Sequence, residues 1–508
     1  MNVLVTGGSG IIGNAAIPAL LRAGHKVRLL SRHAEEDVRS LPERVEPFVA
    51  DIAVPETLNG AMDACECVLH VAGIAEENPP ESTFEGINVA GTRHLVAAAR
   101  KSGQPYFIYV SSLGADRGNS DYQKSKIRAE ELLRSYHGPW LVLRPGNVYG
   151  PGDDTISMLL KMVRSLPAVP MVSGGEQPFQ PLWHADFAEV IQQVVERREL
   201  NGETLELAGP DVTTTDDILH RLGEITGRKV PRLSVPVWVT EVGVQMLEAF
   251  GSAGKKLLRR AGLDAPITSA KLDMLLEENV ISPGGRNALL DFVAEPTSLQ
   301  DGLEMLADYL PEQLPGDGVG TVEESTFSAE IEGSPHRAKE LLDLVCGRIT
   351  EVMPIDFAAE PGSPERAEVG TTMTAALFAR GNIQVKLEER TETRATFVTL
   401  EGHPLAGVMQ LHAEDLPDAV RFSIHIASQP SNVVDWVGMR LAGGPMQRAN
   451  WRGVVRRVVA LSGGKARGPV RHETHPMDAA ETADIRRFAE RVVTGQLREE
   501  RSLRSTQT

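Results

Sequence analysis

The chain has 508 residues, of which 42% are hydrophobic and 24% charged, and its formal net charge is -17. This length predicts several globular domains, and the acidic balance argues against a nucleic acid or an anionic membrane surface as the main partner. Three cysteines are too few for a disulfide framework, and no cysteine and histidine cluster has the spacing of zinc ligands. No apolar run is long enough to span a membrane, and the first predicted strand leaves no room for a signal peptide, so we expect a cytoplasmic protein without stable membrane insertion.

The N-terminal segment is a short apolar run that breaks at once into glycines. Val3–Val5 predicts a buried strand and Ile11–Leu21 a helix, with Gly7, Gly10 and Gly13 at the junction. Such glycines suit a dinucleotide-binding loop, in which backbone N–H groups at a helix N-terminus approach pyrophosphate oxygens and a Cβ would obstruct them. Alone, the triplet would also suit an ordinary turn.

Up to about residue 143, short apolar runs alternate with helical patterns. The runs are Val27–Leu30, Glu46–Val49, Cys67–Val71, Tyr106–Val110 and Trp140–Leu143. This alternation predicts an α/β fold with a doubly wound parallel sheet, the Rossmann type. Ligands of such sheets bind at the carboxyl ends of the strands, so the residues that follow each run are candidates for cofactor binding.

Counted from Val3–Val5 as the first, the second, third and fourth runs are followed by residues that bear on the cofactor. No acidic residue directly follows the second run, and Arg32 there could pair with a 2′-phosphate, which favours NADP over NAD; a solvated surface arginine is the alternative. Asp51 and Ile52 follow the third run, although Asp51 could equally cap the next turn. Ala72 and Gly73 follow the fourth run, where small residues let a ligand approach.

A serine and a tyrosine–lysine pair follow the fifth strand. Ser112 stands just after it, and Tyr122 and Lys126 open a predicted helix that runs to about Tyr136. Their i,i+4 spacing places the phenol and the ammonium on one helix face. A cation beside a phenol favours the phenolate, so we expect the pKa of Tyr122 to be lowered toward neutrality. With the glycine loop in front, the three residues predict a catalytic site.

Here the chain resembles the short-chain dehydrogenase/reductase superfamily, in particular its extended and atypical members grouped with NAD(P)-dependent epimerases and dehydratases. The resemblance covers about 310 residues and rests on Thr6–Gly13, Asn88–Thr92, Ser112, Tyr122, Lys126, Arg144–Gly152 and Trp183–Asp186. It implies that Tyr122 is the general acid/base, that Ser112 orients the substrate oxygen, and that Lys126 tunes the tyrosine and holds the nicotinamide ribose. The expected cofactor-binding residues are Thr6, Gly7, Gly10, Ile11, Ile12, Gly13, Arg32, Asp51, Ile52, Ala72, Gly73, Asn88, Tyr122, Lys126, Pro145 and Val148.

Some of these roles have alternatives. Asn88 could simply brace the loop structure, and Asp186 stands where a helix N-cap is expected, so a capping role is at least as good as a substrate contact. The segment after Ser112 lacks the acidic pair that sugar-nucleotide dehydratases carry there. This departure disfavours dehydration, although Asp116 or Asp121 could face the cleft.

The remaining pattern predicts a substrate lobe at about residues 150–310, which completes a first domain at 1–312. Helices are predicted at Asp216–Thr226, Val235–Phe250 and Ser298–Leu310. Residues 313–324 read as a linker by their glycine and proline content, and residues 466–508 as a charged helix, expected to end near Leu497, with a frayed tail.

Residues 325–465 have a different hydrophobic pattern. A strand and a helix precede closely spaced runs with period two, among them Val420–Ala427, and Ser431–Leu461 then reads as a long, interrupted helix. This order predicts an α+β helix-grip domain. With Thr399–Gly407 and Ser428–Pro430, it resembles an uncharacterised bacterial domain of the START-like (SRPBCC) superfamily. The resemblance implies an apolar ligand enclosed between sheet and helix.

Together these features predict an NADP(H)-dependent oxidoreductase, with NAD as the second choice, that acts on a carbonyl or secondary alcohol of an apolar small molecule and is fused to a hydrophobic-ligand-binding domain. No nucleic-acid partner is expected, and a homo-oligomer is compatible with the pattern. Two alternatives stay open. One is a nucleotide-sugar epimerase with tightly bound NAD, and the other is a non-catalytic NADP redox sensor.

Overall fold

A computed structural model describes residues 1–42, 44–165, 168–228, 231–235, 278–353, 366–377, 381–440 and 444–505. Within this part the chain divides into two compact units: the first lies within Met1–Tyr309, and the second is drawn from Leu310 onward together with a short segment that begins at Arg164. None of the helices in these ranges is long and apolar enough to cross a bilayer.

The first unit is built around a parallel sheet. Its strands are β1 Asn2–Thr6, β2 Lys26–Ser31, β3 Val45–Val49, β4 Cys67–His70, β5 Tyr106–Val110, β6 Trp140–Pro145, β7 Val148–Tyr149, β8 Val169–Val172, β9 Leu182–Trp183, β10 Thr204–Leu207 and β11 Arg232–Val235. Seven of them form one sheet in the order β10-β6-β5-β4-β1-β2-β3. Every pairing in it is parallel, so the predicted Rossmann-type sheet is confirmed.

Helices connect these strands. They are α1 Ile11–Arg22, α2 Ala34–Asp37, α3 Thr92–Lys101, α4 Asp121–Arg134, α5 Ile156–Ser165, α6 His184–Val194, α7 Thr215–Ile225 and α8 Leu299–Asp308. Successive residues of β1 face opposite sides of the sheet, with Val3 and Val5 in one hydrophobic core and Leu4 in the other. The continuous apolar runs of these strands therefore follow from burial on both faces.

The substrate lobe predicted at about residues 150–310 contains a smaller core of its own. Tyr149 and Trp183 pack there edge to face, with ring centroids 5.2 Å apart, among apolar residues of α5, α7 and α8. The predicted helix Val235–Phe250, with Trp238 and Met246, lies outside the described residues beyond Val235.

The second unit is built around an antiparallel sheet. Its strands are β12 Glu312–Gln313, β13 Glu323–Glu332, β14 Thr372–Leu377, β15 Gly381–Arg390, β16 Arg394–Leu400, β17 Leu405–Asp415, β18 Ala419–Pro430, β19 Lys465–Ala466 and β20 Arg471–Pro476. The order is β14-β15-β16-β17-β18-β13-β19, with β12 beside β16 and β20 beside β13. Its helices are α9 Ala338–Gly347, α10 Ile349–Val352, α11 Val433–Gly438, α12 Gly444–Leu461 and α13 Ala479–Ser505.

Both faces of this sheet are covered. Phe422 and Ile424 of β18 pack on one side with apolar residues of α9 and α12, as the predicted alternation requires. On the other side, Ala427 packs in a second cluster with Ala489 and Val493 of α13. The second cluster is the less expected of the two, because the C-terminal residues predicted a charged helix with a frayed tail.

Three further details differ from the sequence-based expectations. Within the predicted linker, Val319 is buried and its N–H donates to the carbonyl of Pro430, so that segment is bound to the second sheet. The polar segment Arg471–Pro476 forms an edge strand that the period-two pattern missed. The last helix ends at Ser505 rather than near Leu497.

Candidate functional site

The carboxyl ends of β1, β4 and β5 lie side by side in the first unit. The register pairs Thr6 with His70 and His70 with Tyr109, and Val110 pairs with Leu143 of β6. The glycine loop, the small residues after β4 and the serine after β5 therefore meet at one edge of the sheet, where ligands of parallel sheets bind.

Two of the loop glycines occupy positions that a side chain would obstruct. Gly7 has a φ of 73°, and a Cβ on it would lie 2.7 Å from the backbone nitrogen of Ala72. A Cβ on Gly13 would lie 2.4 Å from the carbonyl oxygen of Gly7, so Gly13 lets α1 pack directly against the loop. A Cβ on Gly10 would meet its nearest atom only at 3.6 Å, which leaves the space beside that glycine open.

The N-terminus of α1 has the features of an anion site. Its N-cap residue, Gly10, offers no side-chain hydrogen bond, and the first turn carries no acidic residue. The N–H groups of Ile11, Ile12 and Gly13 are therefore left without side-chain caps at the positive end of the helix dipole. A pyrophosphate fits this loop through backbone N–H groups.

A buried chain of hydrogen bonds supports the glycine loop. The His70 ring lies with Nδ1 2.8 Å from the hydroxyl of Thr6 and Nε2 3.0 Å from that of Thr92. The Thr6 hydroxyl also accepts from the N–H of Ala72 at 3.2 Å. Burial, with a smaller effect of the Lys126 charge, lowers the pKa of His70 to about 3. Thr6 thus holds the loop in place by its side chain, a role that sequence reasoning did not assign, and His70 was missed.

The end of β2 presents both a cation and an acid. Arg32 is exposed, and no carboxylate forms an ion pair with it among the residues that the structure describes. The carboxylate of Asp37, at the end of α2, accepts a hydrogen bond from the hydroxyl of Ser31. The sequence has no acidic residue directly after β2, but α2 places the carboxylate of Asp37, six residues after Ser31, beside the end of that strand.

The residues after β3 are occupied in local structure. Asp51 accepts from the N–H of Ala53 at 2.9 Å, and its own N–H donates to the hydroxyl of Thr57 at 3.0 Å. Ile52 is buried, and its carbonyl lies 2.8 Å from the His94 ring. Asp51 therefore caps the following turn, which was the open alternative for this residue.

Ser112, Tyr122 and Lys126 come together at the same edge. Lys126 is 5% exposed; its Nζ donates to the Val110 carbonyl at 3.0 Å and lies 5.9 Å from the Tyr122 ring centroid. Burial raises the pKa of Tyr122, and a hydrogen bond with Ser112 opposes that effect. Burial likewise lowers the pKa of Lys126 to about 8, against the charge of Glu130.

The expected lowering of the tyrosine pKa is therefore wrong for this arrangement. The i,i+4 spacing does place the two groups on one face, but burial raises the pKa of the Tyr122 phenol, the Ser112 hydrogen bond opposes this only in part, and the Lys126 ammonium is held by a backbone carbonyl. The phenol is consequently protonated at neutral pH, as an acid must be.

Asn88 and Gly73 shape the space around the lysine. The Asn88 amide accepts from the N–H of Ile74 at 2.8 Å and donates to the Ser125 hydroxyl at 2.9 Å, so it braces the loop. A Cβ on Gly73 would lie 3.2 Å from both the Lys126 Nζ and the Asn88 Oδ1. The small residue after β4 is thus needed where the lysine approaches the backbone.

A buried charge network, which sequence reasoning missed, lies behind the three residues. Glu130 is fully buried and accepts from the Ser111 hydroxyl at 2.6 Å and from the Arg144 Nε at 2.9 Å. Arg144 also pairs with Asp116 at 2.6 Å. Burial alone would lower the pKa of Arg144, but the hydrogen bonds and charges of Glu130 and Asp116 raise it. The spacing of Glu130, four residues after Lys126, was the available signal.

The remaining candidate acids have structural partners. Asp121 is exposed and pairs with Lys124 at 3.1 Å, and Asp116 is held by Arg144. Asp186 lies within the first turn of α6 instead of at its N-cap, which is Trp183. It accepts from the N–H and the hydroxyl of Thr297 at 2.7 and 2.9 Å, and so ties a distant loop to the helix.

The turn after β6 is tightly packed. The carbonyl of Pro145 accepts from the N–H of Leu113 at 2.8 Å, which links this turn to the serine loop. A Cβ on Gly146 would lie 2.3 Å from the carbonyl oxygen of Gln180. Val148 begins β7 immediately afterwards and is partly buried.

The second unit contains a cavity of about 520 Å³ between its sheet and α11 and α12. Phe327 and Ile426 of the sheet and Trp436 and Trp451 of the helices line it. It lies between the antiparallel sheet and the helices that follow β18.

Residues 3–208 match the family model described as the NAD dependent epimerase/dehydratase family. The first unit therefore carries a Rossmann domain of that type. A crystal structure of a UDP-glucose 4-epimerase from Thermotoga maritima aligns with 61% of this chain and 98% of its own, at 21% identity and a TM-score of 0.48.

Relatives of known activity match parts of the chain. A ceramide reductase from Caulobacter vibrioides is 32% identical over 172 residues, which are 34% of this chain and 54% of that protein. A 3 beta-hydroxysteroid dehydrogenase/Delta 5-->4-isomerase from Mycobacterium tuberculosis is 29% identical over 182 residues, 30% of this chain and 49% of that protein. A ketoreductase from Stigmatella aurantiaca, whose named substrate carries a farnesyl group, is 28% identical over 187 residues, 32% and 56% of the two chains. The chain spans about half the length of these relatives.

Proposed function

We propose that the first unit is an NADP(H)-dependent oxidoreductase that interconverts a carbonyl and a secondary alcohol on an apolar small molecule. The observation that carries the proposal is the convergence of Ser112, Tyr122 and Lys126 at the sheet edge beside an uncapped helix N-terminus. The relatives that act on a ceramide, a steroid and a farnesylated quinoline support an apolar substrate.

The residues present fit a dinucleotide. The glycine loop has no room for a Cβ at Gly7 or Gly13, and the N–H groups of α1 point to a site for pyrophosphate. When bound, the nicotinamide supplies or accepts the hydride. Arg32 would hold the 2′-phosphate through its planar fork, Lys126 the nicotinamide ribose, and the Pro145 and Val148 backbone the carboxamide.

The chain's own residues handle the proton. Because burial keeps the Tyr122 phenol protonated, it donates its proton to the substrate oxygen during reduction and takes it back during oxidation. Ser112 donates a hydrogen bond to the same oxygen. The Lys126 ammonium stabilises the phenolate that Tyr122 becomes after proton transfer, since it lies on the same helix face.

The test measures NADPH oxidation by the full chain with 2-dodecanone, a ketone with a long apolar body. We expect Tyr122→Phe to lower kcat by at least about 100-fold, the usual contribution of general acid catalysis, while the variant still binds NADPH. Tyr309→Phe, at an exposed tyrosine of the same unit, should behave as the native chain. A native rate in Tyr122→Phe would refute the catalytic assignment, and NAD retained through purification would favour an epimerase.

The cofactor preference has its own test. Arg32→Ala should raise the Kd for NADPH by about tenfold and leave that for NADH unchanged, because a charge-assisted contact to the 2′-phosphate is lost. Arg39→Ala, at an exposed arginine nearby, is the matched control. Tighter binding of NADH than of NADPH by the native chain would contradict the role of Arg32 and would instead favour Asp37 as the acceptor for the ribose 2′-hydroxyl.

We further propose that the second unit is a START-like domain that holds a hydrophobic ligand. The cavity between its sheet and α12, with Phe327, Ile426 and Trp451 in the lining, supports this role. Mass spectrometry of compounds extracted from the purified full chain tests it: a reproducible apolar compound that is lost on Ile426→Trp, which fills the cavity, is the expected result. An extract identical for both chains would contradict the proposal.

A further inference from the structure

The cavity of the second unit is amphipathic. Its apolar part is formed by Phe327 and Ile426 on the sheet and by Trp451 on α12. The lining also includes two cationic side chains, Arg440, which follows α11, and Arg448 of α12. A ligand that fills the whole cavity must therefore satisfy both an apolar surface and a pair of guanidinium groups.

Among the residues that the structure describes, the two arginines have no carboxylate partner. Both side chains are exposed. The Arg440 guanidinium lies 4.3 Å from the Trp436 ring centroid, a cation–π contact that fixes its position at the cavity lining. A guanidinium held in this way still directs its N–H donors outward and can bind an oxyanion bidentately.

The balance of charge at the cavity is positive, although the whole chain carries -17. Glu323 also lines the cavity and is the acidic member of the lining, against the two arginines. The ring of His472 stacks on that of the cavity-lining Phe327, with the ring centroids 4.3 Å apart. The pKa of His472 is lowered by burial and then by the charges of Arg452 and Arg448, which indicates a positive potential on this side.

We propose that this cavity binds an amphipathic anion, a molecule with an apolar body and one carboxylate or phosphate group, and that Arg440 and Arg448 hold the anionic group. The inference rests on the proposed role of the second unit in ligand binding and specifies the ligand class. The apolar body lies against Phe327, Ile426 and Trp451, where removal from water stabilises the complex. The polar groups of Ser325 and Thr474, hydrogen-bonded to each other at 2.9 Å, lie along the same wall.

The test compares ligands that share one apolar chain and differ in the head group. Calorimetric titration of the full chain uses dodecanoate, dodecyl phosphate and dodecanol below their aggregation limits, with acetate and inorganic phosphate as head groups alone. We expect the native chain to bind dodecanoate or dodecyl phosphate at least about tenfold more tightly than dodecanol, and the free head groups only weakly. The stronger of the two anions identifies the natural head group.

The double variant Arg440→Gln/Arg448→Gln should abolish this preference and keep the native affinity for dodecanol. Both side chains are exposed, so we expect the variant to fold, which its thermal unfolding checks. Arg456→Gln, at an exposed arginine of α12 that does not line the cavity, is the matched control and should keep the preference.

Each other outcome overturns the inference in a different way. Equal affinity of the native chain for dodecanoate and dodecanol would leave a hydrophobic-ligand domain without anion recognition. A preference that survives in the double variant would place the anion elsewhere. No binding of any of the three long-chain ligands would refute the ligand-binding role of the second unit as well, while NADPH binding to the first unit would be unaffected.

Discussion

The substitution Glu130→Gln tests whether the buried network behind Tyr122 and Lys126 supports the site. The carboxylate of Glu130 accepts four hydrogen bonds: from Ser111 at 2.6 Å, from Arg134 at 2.7 Å, and from Arg144 at 2.8 and 2.9 Å. Glutamine keeps the size of the side chain but turns an N–H₂ group toward donors. It also leaves the buried Arg144 with Asp116 as its nearest full charge.

The expected loss of stability follows from these contacts. Removing one partner of a buried ion pair costs about 3–5 kcal/mol, because the other charge is left uncompensated. Asp116 compensates part of the Arg144 charge, and the glutamine oxygen still accepts, so we expect about 3 kcal/mol for the first unit. Glu131→Gln, at the exposed neighbouring residue of α4, should change stability by less than about 0.5 kcal/mol.

The assay is urea unfolding of the full chain, read at the transition that NADPH moves to higher urea, since a bound ligand stabilises the unit that holds it. The kcat should fall as well, because Glu130 anchors the helix face that carries Lys126. A second variant, Glu130→Leu/Arg144→Met, removes both charges and should be less destabilised than Glu130→Gln. Equal urea midpoints for Glu130→Gln and the native chain would refute the reasoning.

Two further predictions concern the cofactor loop. Gly13→Ala should destabilise the first unit and abolish NADPH binding, because the new Cβ would clash with the Gly7 carbonyl. Gly10→Ala should keep the free energy of unfolding in urea within about 0.5 kcal/mol of the native value. Equal urea midpoints for the two variants would contradict the close packing inferred at Gly13. The buried His70 has its pKa lowered to about 3, so the unfolded chain takes up a proton there first as the pH falls below about 6.5. The contribution of His70 to the free energy of unfolding is therefore complete above that pH and falls by about 1.4 kcal/mol per pH unit on acidification toward pH 3. In His70→Gln the urea midpoint should depend less steeply on pH in that range. The same dependence on pH in the variant and the native chain would refute this role of His70.

The sheet of the first unit was predictable because its signals are local. The central strands β1, β4, β5 and β6 are nearly continuous apolar runs, and Gly7 and Gly13 mark the turn where a Cβ has no space. The hydrogen-bond partners of the site side chains were harder to predict from the sequence, because they depend on distances across the sheet. Asp37 returns to the end of β2 through a short helix, and His70 bridges Thr6 to a residue of α3.

The error on the Tyr122 pKa has a similar cause. The sequence spacing places Lys126 on the same helix face as Tyr122, but the desolvation that raises the pKa of the phenol depends on the residues packed around it. In the second unit the antiparallel strands followed from their alternation, whereas Arg471–Pro476 is an exposed edge strand made of polar residues and carries no such pattern. The bracing role of Asn88 and the turn-capping role of Asp51 were among the sequence alternatives, and the local hydrogen bonds of both residues agree with those roles.

The helix α13 changes what counts as the interior of the second unit. Val398, Val408 and Ala427 lie on the sheet face opposite α12, and they pack with Ala489 and Val493 of that final helix. A polar substitution at Ala489, in a helix that the sequence marks as charged, is therefore a core substitution with the cost of burying an unpaired polar group.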